Sequence, residues 1–525
     1  MQAGSTTVPE QLPPVAAEAP AAAPARRRLV DRVFSFPAVC AMVVTLLILG
    51  FASRRFVEPD FWWHLRNGQQ IVEYHSIPRI DTYTFGAAGS PWLDHEWLSE
   101  AMFFLAYKAF ALRGVLLLYF GLLTLIYGAV YYLAFRRGAD PITAMLVTAL
   151  AVLLGAVSIG PRPMWFGWVC MMGLLLILDR FERTGAGLWL LPLLFALWIN
   201  LHGSWVFGMV VLAITIAAGL VEGRWAGVVA RRWSPPERRA LLLASTASVA
   251  TLFVTPFGYR LLLYPFDLLF RQNIAMKYVE EWQSVDFAKG SGKLALITVL
   301  ALLLSAVFSR RRWRLADLLL LLFALWMGLS HVRLLSFLGI IMAPVLAPRL
   351  NLFPPTGEST NRAAVNAVIL AVLVGCIVYS FPTQAELERQ LRTRFPAAAL
   401  EYMQREHITG RVLNEDWWGG YVEWNLPTLK PFIDSRADIF VYNGAFDDYI
   451  SAVRIRKPFA VLDKHRIDYA LLEPNEPLVY VLKRSPNWQA IYSDNIAVLL
   501  ARTDATGRAP LPQNGTDLDR GSTNK

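Results

Sequence analysis

Cysteine and charge are both scarce in this 525-residue chain, and each scarcity excludes a class of protein. The three cysteines, Cys40, Cys170 and Cys376, all lie in apolar runs, where they fit packing better than disulfides or metal sites. Charged residues make up 17% of the chain and hydrophobic residues 55%, with a mean hydropathy of +0.40, which excludes a soluble globular protein. No P-loop, zinc-ligand or G-x-S-x-G spacing stands out in the sequence.

The net charge of +10 does not indicate binding to nucleic acid. The arginines cluster at the ends of apolar runs, for example at Arg136 and Arg137 and from Arg310 to Arg314, and they form no single basic face. Such a distribution is typical of the cytosolic loops of membrane proteins. The lipid bilayer is therefore the expected partner, and no nucleic acid is expected.

Repeated apolar runs of about 15 to 22 residues match the thickness of a bilayer, so the sequence predicts an α-helical polytopic membrane protein. About eleven transmembrane helices are expected from the runs and from the arginine distribution. They lie roughly at residues 36–52, 114–135, 141–159, 163–180, 187–200, 204–222, 239–255, 293–308, 315–330, 334–348 and 363–380. Segment 96–112 is also apolar, but counting it as a span would place Arg136 outside, so we expect it to be an interfacial helix.

The regions on either side of these spans differ in composition. Residues 1–35 are expected to form a disordered cytosolic tail, and residues 506–525 a second disordered tail. Residues 36–380 make up the membrane domain, whose long first external loop runs from 53 to 113. Charge and short β-like runs return in residues 381–505, which predicts a C-terminal external α/β domain. There, β-like runs lie at 411–413, 431–433, 469–472 and 496–500, helical patterns at 383–406 and 446–466, and a turn at Gly419-Gly420.

The unusual polar residues fall on the external side once this topology is drawn. A channel would carry polar groups at mid-span, whereas these spans are largely apolar. The polar groups lie instead at the external ends of the spans and in the external loops, a region that we call the mouth. Carboxylates that face arginines and histidines suit transfer from a lipid-linked donor, with a carboxylate as general base and arginine holding the donor phosphate. The first loop supplies Glu58, Asp60, His64, Arg66, Asp94, His95 and Glu96, and other external corners supply Arg162, His202, Arg260, Glu281, His331 and Arg333.

Several ordered motifs extend this pattern along the chain. They are Glu58-Pro59-Asp60, Asp60-Phe-Trp-Trp-His64, Trp92-x-x-His95-Glu96-Trp97, Asn200-Leu-His-Gly203 and Asp434-x-Arg436. With these motifs the chain resembles, over residues 36–503, the glycosyltransferase C superfamily, and within it a group of bacterial polytopic membrane proteins. Members of the superfamily carry an acidic motif of the D-x-D, E-x-D or D-E kind in their first external loop, and Glu58-Pro59-Asp60 matches the E-x-D form.

The resemblance implies an inverting glycosyltransferase that takes a sugar from a polyprenyl-phosphate or polyprenyl-diphosphate donor and passes it to a lipid, glycan or protein acceptor. It also implies the bacterial inner membrane, with a cytosolic N-terminus and a periplasmic C-terminal domain. Asp60 and Glu58 match the catalytic motif, with Asp94 and Glu96 as further catalytic candidates. If a divalent metal takes part, Mg²⁺ or Mn²⁺ is expected at Asp60 and Glu58. The candidates for binding the donor are His64, Arg66, His95, Arg162, His202, Arg260, Glu281, His331 and Arg333.

Simpler explanations stay open at this point. An acid near the start of a helix also suits helix capping, and an arginine at a span end also suits pairing with lipid headgroups. The same scaffold also suits a non-catalytic membrane partner or a flippase for lipid-linked glycans. A flippase should show a polar path through the spans, and the sequence shows none.

Overall fold

The computed structural model describes residues 29–54, 56–271, 280–354 and 362–503. The predicted tail 506–525 and most of the predicted tail 1–35 lie outside these ranges. Helices dominate the part before residue 381. They are α1 (Leu29–Val33), α2 (Phe36–Arg54), α3 (Phe61–Tyr74), α4 (Trp97–Arg136), α5 (Pro141–Gly155), α6 (Met164–Thr184), α7 (Leu190–Leu201), α8 (Trp205–Ala218), α9 (Pro235–Thr251), α10 (Tyr259–Arg271), α11 (Gly290–Phe308), α12 (Leu315–Ser330), α13 (Leu335–Leu350) and α14 (Ala363–Ser380).

Seven helices of the described chain are long and apolar enough to cross a membrane. They are α2, α4, α5 with the turn to Ser158, α6, α11, α13 with the turn before it, and α14. Helices α7, α8 and α12 are apolar but shorter, and α9 begins with a charged turn. The predicted multi-pass helical fold is thus confirmed, whereas the count of eleven spans stays a prediction.

Helix α4 contains the break that the arginine distribution required. Its backbone leaves helical geometry at Phe110 (φ −144°) and Ala111 (φ +51°), which separates residues 97–109 from residues 112–136. A side chain at Gly114 would collide with the Ala106 carbonyl, so the two halves meet at a contact that only glycine permits. The segment predicted at 96–112 is therefore a separate helix, divided from the following span by this break, and its position at the membrane interface stays a prediction.

The loops that were predicted to be cytosolic meet at one end of the helices. Arg137 donates to Asp317 across 3.2 Å, and Arg314 pairs with Glu182. A small sheet adds a backbone connection at the same end. It contains β1 (Gly223–Trp225), β2 (Val228–Ala230) and β3 (Trp313–Arg314), with β1–β2 antiparallel and β2–β3 parallel. Contacts among these loops support the alternation of helix directions that the sequence predicted.

A mixed sheet with flanking helices follows α14, and it confirms the predicted α/β character. The strands are β4 (Val412–Asn414), β5 (Tyr469–Leu472), β6 (Trp488–Ser493) and β7 (Val498–Arg502), in the order β4-β5-β7-β6, with β4–β5 parallel and the other pairs antiparallel. The helices are α15 (Gln384–Arg392), α16 (Ala397–Arg405), α17 (Gly419–Asn425), α18 (Ala437–Val441), α19 (Ala445–Val453), α20 (Pro458–Lys464) and α21 (Pro477–Lys483).

Three local predictions for this region are wrong. Each long helical pattern is divided into two helices, since Pro396 and Pro458 stand where the chain must turn before a new helix. The run 431–433 forms no strand but a single bridge from Pro431 to Val412. Gly419-Gly420 is not a turn but the first two residues of α17. Glycine is needed there because a Cβ at Gly420 would lie only 2.8 Å from the Trp63 backbone nitrogen. The glycines thus bring α17 against α3.

A buried arginine connects the first loop with this C-terminal region. Arg436 donates to Asp81 (2.8 Å) and to Asp434 (2.9 Å), and Glu423 lies 3.9 Å away. The rings of Trp63, Tyr83 and Trp92 surround the guanidinium at 5.7, 5.2 and 4.4 Å. Trp63 and Trp92 also belong to the apolar core of the C-terminal sheet. First loop and C-terminal region therefore share one core, which holds the mouth in place.

Candidate active site

An ion triad joins three corners of the mouth. Arg162, between α5 and α6, lies 2.7 Å from Glu58 of the first loop and 2.5 Å from Glu281 before α11. Because two carboxylates of the chain already pair with its guanidinium, Arg162 serves as a structural contact in this fold. Burial raises the pKa of Glu58 to about 7, against the lowering effect of Arg162. The triad fixes the relative positions of the corners from which the other candidates project.

The raised pKa of Glu58 predicts a pH-dependent stability. Between its ordinary value of 4.5 and about 7, the folded chain holds a proton that the unfolded chain has released. The contribution of protonated Glu58 to the free energy of unfolding is therefore complete below pH 4.5 and is lost as the pH rises through 7. Glu58→Gln removes this titration, so the unfolding free energy of the natural chain, relative to Glu58→Gln, should fall by up to about 1.4 kcal/mol per pH unit in that window. Thermal unfolding of both proteins from pH 4 to 8 tests this, and a constant difference would contradict it.

Glu96 is the centre of a second group, because three histidines face its carboxyl. The Nε2 atoms of His202 and His95 lie 3.2 and 3.5 Å from its Oε1, and Nε2 of His64 lies 3.8 Å from its Oε2. The Ser204 backbone N–H donates to Nδ1 of His202, which leaves the His202 proton on Nε2, directed at Glu96. Burial raises the pKa of Glu96 and lowers the pKa of His64 and His202 well below the usual value. The imidazoles are thus neutral at physiological pH.

A third set of contacts links α3 with the start of α4. His64 Nδ1 lies 2.8 Å from Glu100 Oε1, and Asn67 donates from Nδ2 to Asp94 (2.7 Å) and to Glu100. The helices approach closely at Gly68, where a Cβ would lie 2.2 Å from the Glu100 carbonyl oxygen. Sequence reasoning missed Glu100 and Asn67 as site residues. The spacing of Glu96 and Glu100, four residues apart on one helical face, was the signal that was available.

The carboxylate of Asp60 takes no part in the contacts just given for the described residues of this mouth. Asp60 is half-buried just before α3, yet its side chain does not cap that helix. Its backbone carbonyl accepts from the His64 N–H, but its carboxylate makes no hydrogen bond or ion pair with any described residue. Burial raises the pKa of Glu58 and Glu96, and the negative charge of Asp60 contributes to both rises. Asp60 therefore lies beside both acids, and the capping explanation that the sequence left open is not observed for it.

Arg333 is a cation of the same mouth and lies in the turn that leads into α13. Its guanidinium stacks 4.7 Å from the ring centroid of Trp282, and no described carboxylate forms an ion pair with it. Burial lowers the pKa of His95 to about 4 and also lowers that of His202, and the charge of Arg333 lowers both further. His331 holds the neighbouring turn, since its Nδ1 lies 2.8 Å from the Trp282 carbonyl oxygen.

Two predicted donor-binding residues make no ion pair or side-chain hydrogen bond with this group among the described residues. Arg66 donates to Gln69 on its own helix across 2.8 Å, and Arg260 is exposed on α10 without a hydrogen bond or ion pair to the described residues. Sequence reasoning also missed Tyr264, whose ring lies 4.6 Å from His95 and whose hydroxyl donates to Asp438 across 3.1 Å. Their separation in sequence gave no signal of this contact.

The metal expected at Asp60 and Glu58 does not fit the donors present there, because Arg162 already engages the Glu58 carboxylate. Another set fits better. One ring nitrogen of His64 and one carboxylate oxygen each from Glu96 and Glu100 lie within 4.8 Å of one another, and all three residues are buried.

Comparison with known proteins gives a fold likeness and no family match. No protein-family model matches the chain, and no curated protein sequence matches it. Among solved structures, the chain is similar to the crystal structure of ArnT from Cupriavidus metallidurans bound to undecaprenyl phosphate. The likeness covers 90% of this chain and 99% of that one, with 14% sequence identity and a TM-score of 0.49.

Proposed function

We propose that this chain is an integral membrane glycosyltransferase that moves a sugar from a polyprenyl-phosphate or polyprenyl-diphosphate donor to an acceptor hydroxyl. The observation that carries the proposal is a pair of charges at the mouth, Asp60 and Arg333, which form no ion pair within the part of the chain that the structure describes. The neighbouring acids Glu58, Glu96 and Glu281 all have partners. The Asp60 carboxylate and the Arg333 guanidinium match the two needs of the reaction, which are a base for the acceptor and a cation for the phosphate.

Asp60 acts as the general base in the proposed step. Its carboxylate takes the proton of the acceptor hydroxyl while the acceptor oxygen attacks the anomeric carbon of the donor sugar. The bond from that carbon to the phosphate oxygen breaks, and the phosphate leaves with the electron pair. One displacement inverts the anomeric centre. Arg333 balances the charge of the leaving phosphate, and the neutral histidines around Glu96 do not compete with it.

A groove beside the mouth suits the polyprenyl tail. It has a volume of about 570 Å³ and is lined by Trp97, Leu98, Ala196, Leu197, Asn200, Phe253, Val254, Thr255 and Pro256. Trp97 donates from its indole nitrogen to Asn200 across 2.9 Å, so one wall of the groove lies next to His202 and Glu96. An apolar tail in this groove would bring its phosphate to the level of Asp60 and Arg333. The mouth then faces the periplasm of a bacterial inner membrane.

Substitutions of Arg333 test the phosphate contact. Lysine keeps the charge and loses the planar fork of donors, so we expect Arg333→Lys to raise the KM for a polyprenyl-phosphate sugar roughly tenfold. Arg333→Ala should raise it further, because the charge is lost as well. The measurement is the initial rate of transfer against donor concentration in detergent or nanodiscs.

The matched control is Arg232→Lys and Arg232→Ala at the opposite end of the helices, where arginine is exposed. Equal KM values for the natural chain and both Arg333 variants would remove Arg333 from the site. Parallel series at Arg260 and Arg162 complete the test, and a series without any effect at all three arginines would rule out a phosphate clamp built from them.

A further inference from the structure

Three buried acids of the mouth lack a cationic partner. Asp94, Glu96 and Glu100 are 2%, 9% and 0% exposed, and no lysine or arginine of the described chain forms an ion pair with them. Their partners are Asn67 and the imidazoles of His64, His95 and His202. Buried carboxylates need either protons or compensating positive charge. A divalent cation supplies that charge in one place.

Neighbouring side chains orient the two glutamates. His202 directs its Nε2 proton at Glu96 Oε1, and Asn67 donates to Glu100 Oε2. The other oxygens face the two sides of the His64 ring: Glu96 Oε2 lies 3.8 Å from Nε2, and Glu100 Oε1 lies 2.8 Å from Nδ1. Supporting hydrogen bonds that hold one oxygen and present the other are the usual environment of metal-binding carboxylates.

We propose that His64, Glu96 and Glu100 bind one divalent transition-metal ion, with Asn67 and His202 as supporting residues. One imidazole and two carboxylates favour Zn²⁺ or Mn²⁺ over Ca²⁺ and Mg²⁺, which prefer oxygen ligands alone. Three protein ligands leave at least one coordination position open. The site is distinct from the Glu58–Asp60 motif, and it ties α3 to α4 beside Asp60. Binding can be measured without any assay of transfer, so it stands or falls separately from the proposed reaction.

Metal content of the purified chain is the first test. We expect about one zinc or manganese ion per chain by mass spectrometry of the elements, and a loss of at least tenfold in Glu100→Gln. Glu73→Gln on α3, whose carboxylate is exposed and pairs with Lys108, is the control and should keep its ion. After chelation, added Zn²⁺ or Mn²⁺ should raise the thermal midpoint of the natural chain and leave that of Glu100→Gln unchanged.

A natural chain without stoichiometric metal, and without a thermal response to either ion, would overturn the site. So would equal metal content in folded Glu100→Gln and Glu73→Gln. If Glu100→Gln does not fold, X-ray absorption of the ion in the natural chain decides the question. One nitrogen ligand with oxygen ligands supports the site, whereas sulfur ligands or oxygen alone would exclude it.

Discussion

Asp60→Asn is expected to lower sugar transfer by roughly 10²-fold or more, the usual contribution of a general base. Asparagine keeps the shape of the side chain and removes the lone-pair charge that accepts the proton. Because the Asp60 side chain makes no helix cap, and no ion pair with any residue that the structure describes, the substitution should leave the thermal midpoint unchanged. The measurement is single-turnover transfer from a labelled polyprenyl-phosphate sugar, together with thermal unfolding of the same preparation.

The matched control is Glu73→Gln, which removes one carboxylate from the far end of the same helix. Its transfer rate should equal that of the natural chain. Near-normal turnover in folded Asp60→Asn would exclude the base role. A loss of turnover that accompanies a lower thermal midpoint would point to a structural role, and the Arg333 series would then decide whether the mouth binds donor at all.

Arg436→Ala is expected to destabilise the fold by about 3 to 5 kcal/mol, the cost of leaving buried charges without their partner. Asp81 and Asp434 are both about 1% exposed and would face an apolar side chain within the aromatic cluster. The attachment of the C-terminal region to the first loop should weaken first. The thermal midpoint should fall, and limited proteolysis should cut between α14 and α15 faster than in the natural chain.

Arg454→Ala is the control for this prediction, because Arg454 is an exposed arginine of the same region. It should behave like the natural chain in both measurements. An unchanged midpoint in Arg436→Ala would contradict the prediction and show that the fold does not depend on this buried guanidinium.

The sequence predicted the membrane helices well, because their apolar runs record burial in lipid residue by residue. It also predicted the break near residue 110, because Arg136 and Arg137 fall on the cytosolic side only if residues 96–112 are not a span of their own. The side of the membrane on which the mouth lies stays a prediction from the same arginines. Each of these predictions rests on a property that a short stretch of chain carries by itself.

Pairings across the chain were beyond the sequence. In the sequence Arg162 is a cation at the end of a span with no visible partner, whereas in the structure it donates to Glu281, 119 residues later. Glu100 reads as one polar residue on an interfacial helix, and only its contact with His64 makes it a ligand candidate. Strand β6 was missed because its alternation is broken by a bulge between Ala490 and Tyr492. The spacing of these residues in the fold depends on packing, which no local pattern records.

The contact between Arg436 and Asp81 joins residues 355 positions apart, and this separation orders events during synthesis. At ribosomal rates, roughly 20 to 70 s pass between the two residues. During that interval the first loop already exists, with Asp81 and the ring of Trp63 lacking their partners. The mouth is therefore completed only when the C-terminal region has been made, so a truncated or stalled product carries the apolar helices before residue 381 and no finished site. Such a product exposes the aromatic surface of the first loop, which proteases can recognise.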